Sequence, residues 1–187
     1  DGSYGVDLNR NYSYWWGGSG SSGVPSNQTY RGTAPFSEPE SKAIRDLFLS
    51  RHIITMITNH TYSELVLWPW GYTYTDPPDK TNLSTMGYDM AAYNGYTPQQ
   101  ASDLYLASGT TDDWSYGSVV NYGFTFESNK AFHPAYSEVN ATYTKHYPAF
   151  LYLLEKADYH ASVLTGTVRD SATGALIPAT LQLQRTM

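Results

Sequence analysis

Cysteine is absent from the 187 residues, so neither a disulfide framework nor a thiolate metal site is possible. Any metal must be held by His, Asp or Glu. Charge is scarce: 11 Lys and Arg, 17 Asp and Glu, 15% of the sequence and a formal net charge of −6. No basic stripe or Arg-rich tract stands out. That argues against nucleic-acid binding, because phosphate neutralisation needs clustered Lys and Arg. Long apolar runs are missing too, and none approaches the ~18 residues that span a bilayer. No signal peptide and no internal repeat are visible, although the opening Asp1-Gly2-Ser3-Tyr4 is not expected to be a natural start.

What is abundant is aromatic: 16% of the chain, with 18 Tyr and 5 Trp. Tyrosine covers a surface with groups both apolar and hydrogen-bonding. That suits an extracellular, lysine-poor protein, or simply a Tyr-rich fold. The 41% hydrophobic content can build a core, and the length fits one ordinary domain or one plus a fragment. Five Asn-x-Ser/Thr sequons occur, at Asn11, Asn27, Asn59, Asn82 and Asn140. They are weak glycosylation signals, and the one at Asn59 would put a glycan beside His60.

The chain turns on Ile53-Ile-Thr-Met-Ile-Thr-Asn-His60-Thr-Tyr62. A run rich in β-branched apolar residues reads as a buried strand over Ile53–Thr58. A histidine just past such a strand sits on the rim where open α/β sheets bind ligands. A lone histidine there is as a rule a hydrogen-bonded loop residue, so its neighbours decide. Upstream, Asn9-Arg10 is either a turn with a surface charge or a fork for a carboxylate. Ser37-Glu-Pro-Glu40 predicts a helix start with a capping box. Ala43, Ile44, Leu47 and Phe48 line its apolar face to about Ser50.

Leu65–Trp68 reads as a short strand stopped by Pro69, and Asn82–Tyr93 as a helix with Met86 and Met90 in the core. Gln99–Tyr105 is ambiguous. In Gly109–Trp114 the doublet Asp112-Asp113 reads as a solvated turn or a helix cap. Val120–Glu127 alternates as a strand through Val120, Tyr122, Phe124 and Phe126. Glu127, ending that apolar strand, is a candidate for a raised pKa or simply an exposed terminus. Asn140 to about Tyr159 reads as a long helix that Pro148 should start or kink. Beyond His160, Val163–Val168, a turn at Ser171–Gly174 and Ile177–Gln184 form a hairpin signature.

Several motifs stand in a recognisable order: Val6-Asp-Leu-Asn9-Arg10-Asn-Tyr, Tyr30-Arg-Gly-Thr-Ala-Pro-Phe-Ser-Glu-Pro-Glu40, His60-Thr-Tyr-Ser63, Trp68-Pro-Trp-Gly-Tyr72, Tyr105-Leu-Ala-Ser-Gly109, Asp113-Trp114 and Phe124-Thr-Phe-Glu127. Over roughly residues 4–157 this resembles the zinc metallocarboxypeptidases of the carboxypeptidase A/B and bacterial carboxypeptidase T kind. Residues 160–187 look like a linker and the first hairpin of the regulatory-like β-sandwich domain that follows some bacterial members. The resemblance implies a three-layer α/β/α fold with a mixed, mostly parallel twisted sheet, incomplete here. It also implies a secreted enzyme that removes the C-terminal residue of peptide and protein substrates by Glu-assisted attack of zinc-bound water.

By the same resemblance His60 is a zinc ligand and Glu127 the catalytic carboxylate. Asn9 and Arg10 grip the substrate's terminal carboxylate, and Tyr105 closes over it. Thr61 and Tyr62 line the cleft beside zinc. Asp112 lies at the base of the pocket for the C-terminal side chain, which would favour Lys or Arg, and Gly71 leaves that pocket open. The family's other two ligands of its single Zn2+ come from a His-x-x-Glu motif. No histidine here is followed by Glu at the third position, so those ligands are expected upstream of residue 1, in a segment of the same protein that completes the domain. Catalytic zinc takes about three protein ligands, so the isolated chain is expected to bind no zinc and to be inactive. Two other classes fit less of the pattern: a dead homologue that binds peptide C-termini, which has no need of Glu127, and an aromatic-rich carbohydrate-binding module, which leaves the ordered motifs unexplained.

Overall fold

The computed structural model describes residues 5–157 and 167–180. Four strands form one sheet in the order β1 (Thr55–His60), β4 (Tyr122–Glu127), β2 (Leu65–Trp68), β3 (Thr97–Gln100). β1 and β4 are parallel, as are β2 and β3. Only β2 against β4 is antiparallel. The sheet is thus mixed and mostly parallel, with helices on both faces.

The period of two along β4 divides the layers. Phe124 and Phe126 are fully buried in a cluster with Val66 and Trp68 of the sheet, Leu83 and Met90 of α2 (Lys80–Asn94), and Ala149 and Leu153 of α5 (Val139–Lys156). The alternate residues Gly123, Thr125 and Glu127 face α4 (Thr111–Val119), where Thr125 Oγ1 reaches the Asp112 carboxylate at 3.4 Å. On this side Trp114 and Val119 of α4 pack with Tyr12, Phe36 and Phe48 of α1 (Pro39–Ser50), and Met56 of β1 lies against them.

Several local expectations are corrected. Ser37 does not cap α1, whose N-cap is Glu38 without a side-chain bond. The cap comes from outside: Asn11 Oδ1 accepts from Glu38 N–H (3.3 Å) and Ser41 Oγ (2.6 Å), while its Nδ2 donates to Arg31 O, Ala34 O and Ser37 Oγ. Asn11 is fully buried, so its sequon is sterically closed to a glycan. Of the predicted α1 face only Phe48 is buried. Ile44 and Leu47 are 38% and 47% exposed, with no cover among the described residues.

Gln99–Tyr105 resolves into the end of β3 and a short α3 (Ala101–Leu104). Val120 does not start β4. It ends α4 in the left-handed region at φ 57, and Asn121 then anchors the strand's start through Nδ2 to Ile53 O at 3.1 Å. Pro148 does not start α5, because buried His146, Ala149 and Leu153 on both sides of it hold the helix to the core. At the C-terminal end Arg169 and Leu176 form an isolated antiparallel bridge, and Ile177 N–H donates to Val168 O. The linker, the parts of the expected hairpin within 158–166 and 181–187, and the expected domain boundary lie outside the described residues.

Gly87 shows packing overriding propensity. A β-carbon there would lie 2.6 Å from the buried Trp68 ring. Ala in mid-helix gains about 1 kcal/mol over Gly, but overpacking costs about 1–3 kcal/mol. Gly87→Ala therefore destabilises the fold by about 1 kcal/mol, read as a lower urea midpoint with unchanged m.

Candidate active site

Register brings the two central side chains together. His60 and Glu127 are the last residues of β1 and β4 and are direct partners across the parallel pair. Both project to the α4 side, and His60 Nδ1 lies 3.8 Å from Glu127 Oε1. The other ring nitrogen, Nε2, is 2.8 Å from Thr58 Oγ1, two residues back on the same face. That contact fixes the ring and leaves Nδ1 turned toward Glu127.

The N-terminal segment is laid against the start of α4. Tyr12 N–H donates to Gly109 O, and Gly109 N–H to Tyr14 O. Gly109 sits at φ 71, and a β-carbon there would meet Arg10 O at 2.5 Å, so this close approach needs glycine. Asn9 Oδ1 then accepts from Thr111 N–H (2.9 Å) and Thr111 Oγ1 (3.1 Å). A backbone N–H can only donate, so the amide NH2 is left free. Arg10 is 7% exposed. Its Nε donates to Gly20 O (2.8 Å) and its Nη1 to Asn9 O (2.7 Å). The remaining guanidinium N–H groups form a fixed cationic fork.

Arg10, Asn9, Gly71, Asp112, Thr125 and Glu127 line one cleft, with Tyr105 at its mouth. Tyr105 is 53% exposed. Of the two readings of the acidic doublet, the solvated turn is corrected: it stands at a helix start, with both carboxylates buried in the first turn of α4. Thr110 caps that turn, its Oγ1 accepting from Asp113 N–H at 3.4 Å. Asp113 accepts from the backbone N–H groups of Gly71 (2.8 Å) and Tyr72 (3.0 Å), which pins the cleft wall to α4. Thr61 and Tyr62 follow His60: Thr61 Oγ1 donates to Phe132 O (2.8 Å), and Tyr62 meets the Phe132 ring edge-on.

Burial and the nearby Asp112 push the Glu127 carboxyl up to about 7. Burial, then Asp112, raise Asp113 well above the usual carboxylate range. Burial lowers His60, which favours the neutral imidazole. Between the ordinary 4.5 of Glu127 and about 7 the folded state holds a proton that the unfolded state has released. The stability this group contributes is full below the lower value and lost as pH rises through the upper one. In metal-free protein Glu127→Gln removes that slope, so the variant gains on the parent as pH rises from 4.5 to about 7 and keeps the gain above it, read by urea denaturation.

A neutral imidazole nitrogen facing a carboxylate fits one corner of a zinc site. Among the described residues no three His, Asp or Glu side chains converge on a common metal position. His60 Nδ1 supplies one candidate donor for such an ion, with the Glu127 carboxylate 3.8 Å away. Sequence reasoning missed Thr58 and Thr111, and also Ser128, whose N–H donates to His60 O at 2.8 Å, and His146, whose ring lies 3.1 Å from Ser128 Oγ. Thr58 was legible in the alternation, since residues two apart share a strand face. The others lie on separate elements and carry no spacing signal.

The zinc carboxypeptidase family matches residues 2–149. Carboxypeptidase B of Bos taurus is 39% identical over 133 residues, 66% of this chain and 32% of that protein. Carboxypeptidase A1 of Rattus norvegicus is 39% identical over 131 residues, 66% of this chain and 31% of that protein. The chain thus spans about a third of the length of these curated relatives. A crystal structure of thrombin activatable fibrinolysis inhibitor superposes with a TM-score of 0.75 at 33% identity, over 78% of this chain and 40% of that one. Carboxypeptidase A of Helicoverpa armigera shares the fold, with a TM-score of 0.71 at 23% identity, over 79% and 40% of the two chains. Motif order, sheet register and this match converge: the chain belongs to the zinc carboxypeptidase family.

Proposed function

We propose that the protein carrying this chain is a zinc-dependent metallocarboxypeptidase that removes the C-terminal residue of peptides and proteins, with a preference for Lys or Arg. One observation supports this most: His60 and Glu127 stand 3.8 Å apart on the sheet face that also holds Asn9, Arg10 and Asp112. His60 Nδ1 would hold the single zinc ion together with ligands from the protein's own upstream segment, and the ion would supply an acidified water and a polarised carbonyl.

Glu127 takes the water's proton on its carboxylate and returns it to the leaving amine. Its burial suits both duties, because burial raises the carboxyl's proton affinity and so helps a group that must accept a proton and then donate it. Arg10 binds the terminal carboxylate through its free N–H groups, and Asn9 adds the amide donor that Thr111 leaves facing the cleft. Tyr105, exposed at the mouth, adds a phenol donor as its segment closes. Thr61 and Tyr62 line the approach beside the metal. We place the enzyme outside the cell, in keeping with a Tyr-rich, Lys-poor surface. Nucleic acid is not a partner in this reading, and among the described residues no helix is long and apolar enough to cross a membrane.

Hydrolysis of peptides ending in Arg by the full-length protein, with the C-terminal amide of each peptide as control, tests the function. Release of Arg from the acid but not the amide is expected. Cleavage of neither overturns the reading. Asp112 sets the pocket preference. Asp112→Ile removes one buried charge partner, worth about 2–5 kcal/mol, so the Arg-to-Phe ratio of kcat/KM falls by roughly 30-fold or more. An unchanged ratio removes Asp112 from specificity.

A further inference from the structure

On the α5 side of the sheet a serine, an imidazole and an amide stand in a row. Ser128 Oγ is 3.1 Å from His146 Nε2, and Asn94 Nδ2 is 3.4 Å from His146 Nδ1. All three residues are buried. The row has the residue types of nucleophile, base and orienter, but its hydrogen bonds run the other way. Asn94 Oδ1 accepts from the Tyr96 backbone N–H at 3.0 Å, so the NH2 end of the amide faces the ring. Nδ1 is the acceptor and the proton sits on Nε2, donated to Ser128 Oγ. An imidazole protonated on that side takes no proton from Ser128, so Ser128 is no nucleophile.

What the row does is fix residue 128, which directly follows Glu127. The Ser128 backbone N–H donates to His60 O at 2.8 Å. The next residue is held as firmly: Asn129 N–H donates to Tyr96 Oη (3.0 Å), its Oδ1 accepts from Thr142 Oγ1 (2.9 Å), and its carbonyl accepts from Ser63 N–H (3.0 Å). One short turn therefore ties the end of β1 to the end of β4, and α5 reaches it through the His146 ring.

We propose that His146 is a positioning residue: by donating to Ser128 it sets the spacing of His60 and Glu127 across the sheet. The purpose of that spacing rests on the carboxypeptidase reading above. The test uses the full-length protein. His146→Phe keeps ring packing against Phe126 and Phe150, whose centroids lie 5.1 and 5.9 Å away, but loses the donor. His146→Gln keeps an N–H donor at nearly the same place.

The Phe variant should show kcat reduced roughly 10- to 100-fold with KM unchanged, and zinc affinity reduced roughly 10-fold. The Gln variant should recover most of both. Nitrogen NMR of the parent should place the His146 proton on Nε2. If the Phe variant does not fold, Ser128→Ala cuts the same link and should lower kcat in the same sense. A folded Phe variant with parental kcat and zinc affinity, a Ser128→Ala variant with parental kcat where that variant decides, or a proton found on Nδ1, overturns the assignment. A parent with no peptidase activity would instead overturn the functional reading, and the NMR tautomer and zinc affinity would still decide this inference.

Discussion

Glu127→Gln in the full-length protein lowers kcat by roughly 10²- to 10⁴-fold, the usual contribution of a positioned general base, while KM for a C-terminal Arg peptide stays near the parental value. The amide has the volume of the carboxyl and sits at the same buried strand end, so the fold is kept and only the proton acceptor is lost. Burial and Asp112 hold the metal-free carboxyl at about 7. A dication bound at His60 would draw that value down, because an opposite charge favours the ionised form. The acid limb of kcat/KM in the zinc form therefore lies below about 7, and it disappears from the residual activity of the Gln variant. A Gln variant retaining kcat within about tenfold of the parent would exclude Glu127 as the base.

Arg10→Met has an effect of similar size on a different parameter. Losing one side of a buried charge pair costs about 2–5 kcal/mol, so kcat/KM falls by roughly 30- to 5000-fold. Part of any such loss is structural, because Arg10 also donates to Gly20 O and Asn9 O. Substrate comparison separates the two contributions. The parent should prefer a free C-terminal carboxylate strongly over the amide, and the Met variant should lose that preference because no cation remains to tell them apart. Arg10→Lys should recover little, since an ammonium cannot bond Gly20 O, Asn9 O and a carboxylate with the geometry of a planar fork. If acid and amide are discriminated equally well by parent and variant, the carboxylate is read elsewhere.

Where the sequence was legible, period and chemistry agreed. The alternation read over Val120–Glu127 marked Tyr122, Phe124 and Phe126 as one apolar face, and β4 adopts it from Tyr122 on, with Phe124 and Phe126 in the core. Ile53–Thr58 located a strand that in fact runs Thr55–His60. The shift matters, because it makes His60 the strand's final residue and so a register partner of Glu127. No periodicity could supply that register, since parallel pairing joins strands more than sixty residues apart.

The doublet at 112 and 113 misled for a related reason. Local composition reads two adjacent carboxylates as solvated, but Gly71 and Tyr72 supply N–H groups to Asp113 from a distant loop. Ser37 likewise carried a correct helix-start signal and the wrong mechanism, because Asn11 reaches across from another segment to do the capping. In each case the deciding partner was a backbone group or an amide brought in by tertiary contact.

In a working zinc peptidase the imidazole of His60 binds the metal beside Glu127. Anomalous diffraction at the zinc edge from crystals of the full-length protein measures this directly. A single zinc peak within bonding distance of His60 Nδ1, on the side facing the Glu127 carboxylate, is the predicted result. A stoichiometric zinc peak away from the imidazole of His60, or on the far side of the sheet from Glu127, would contradict it.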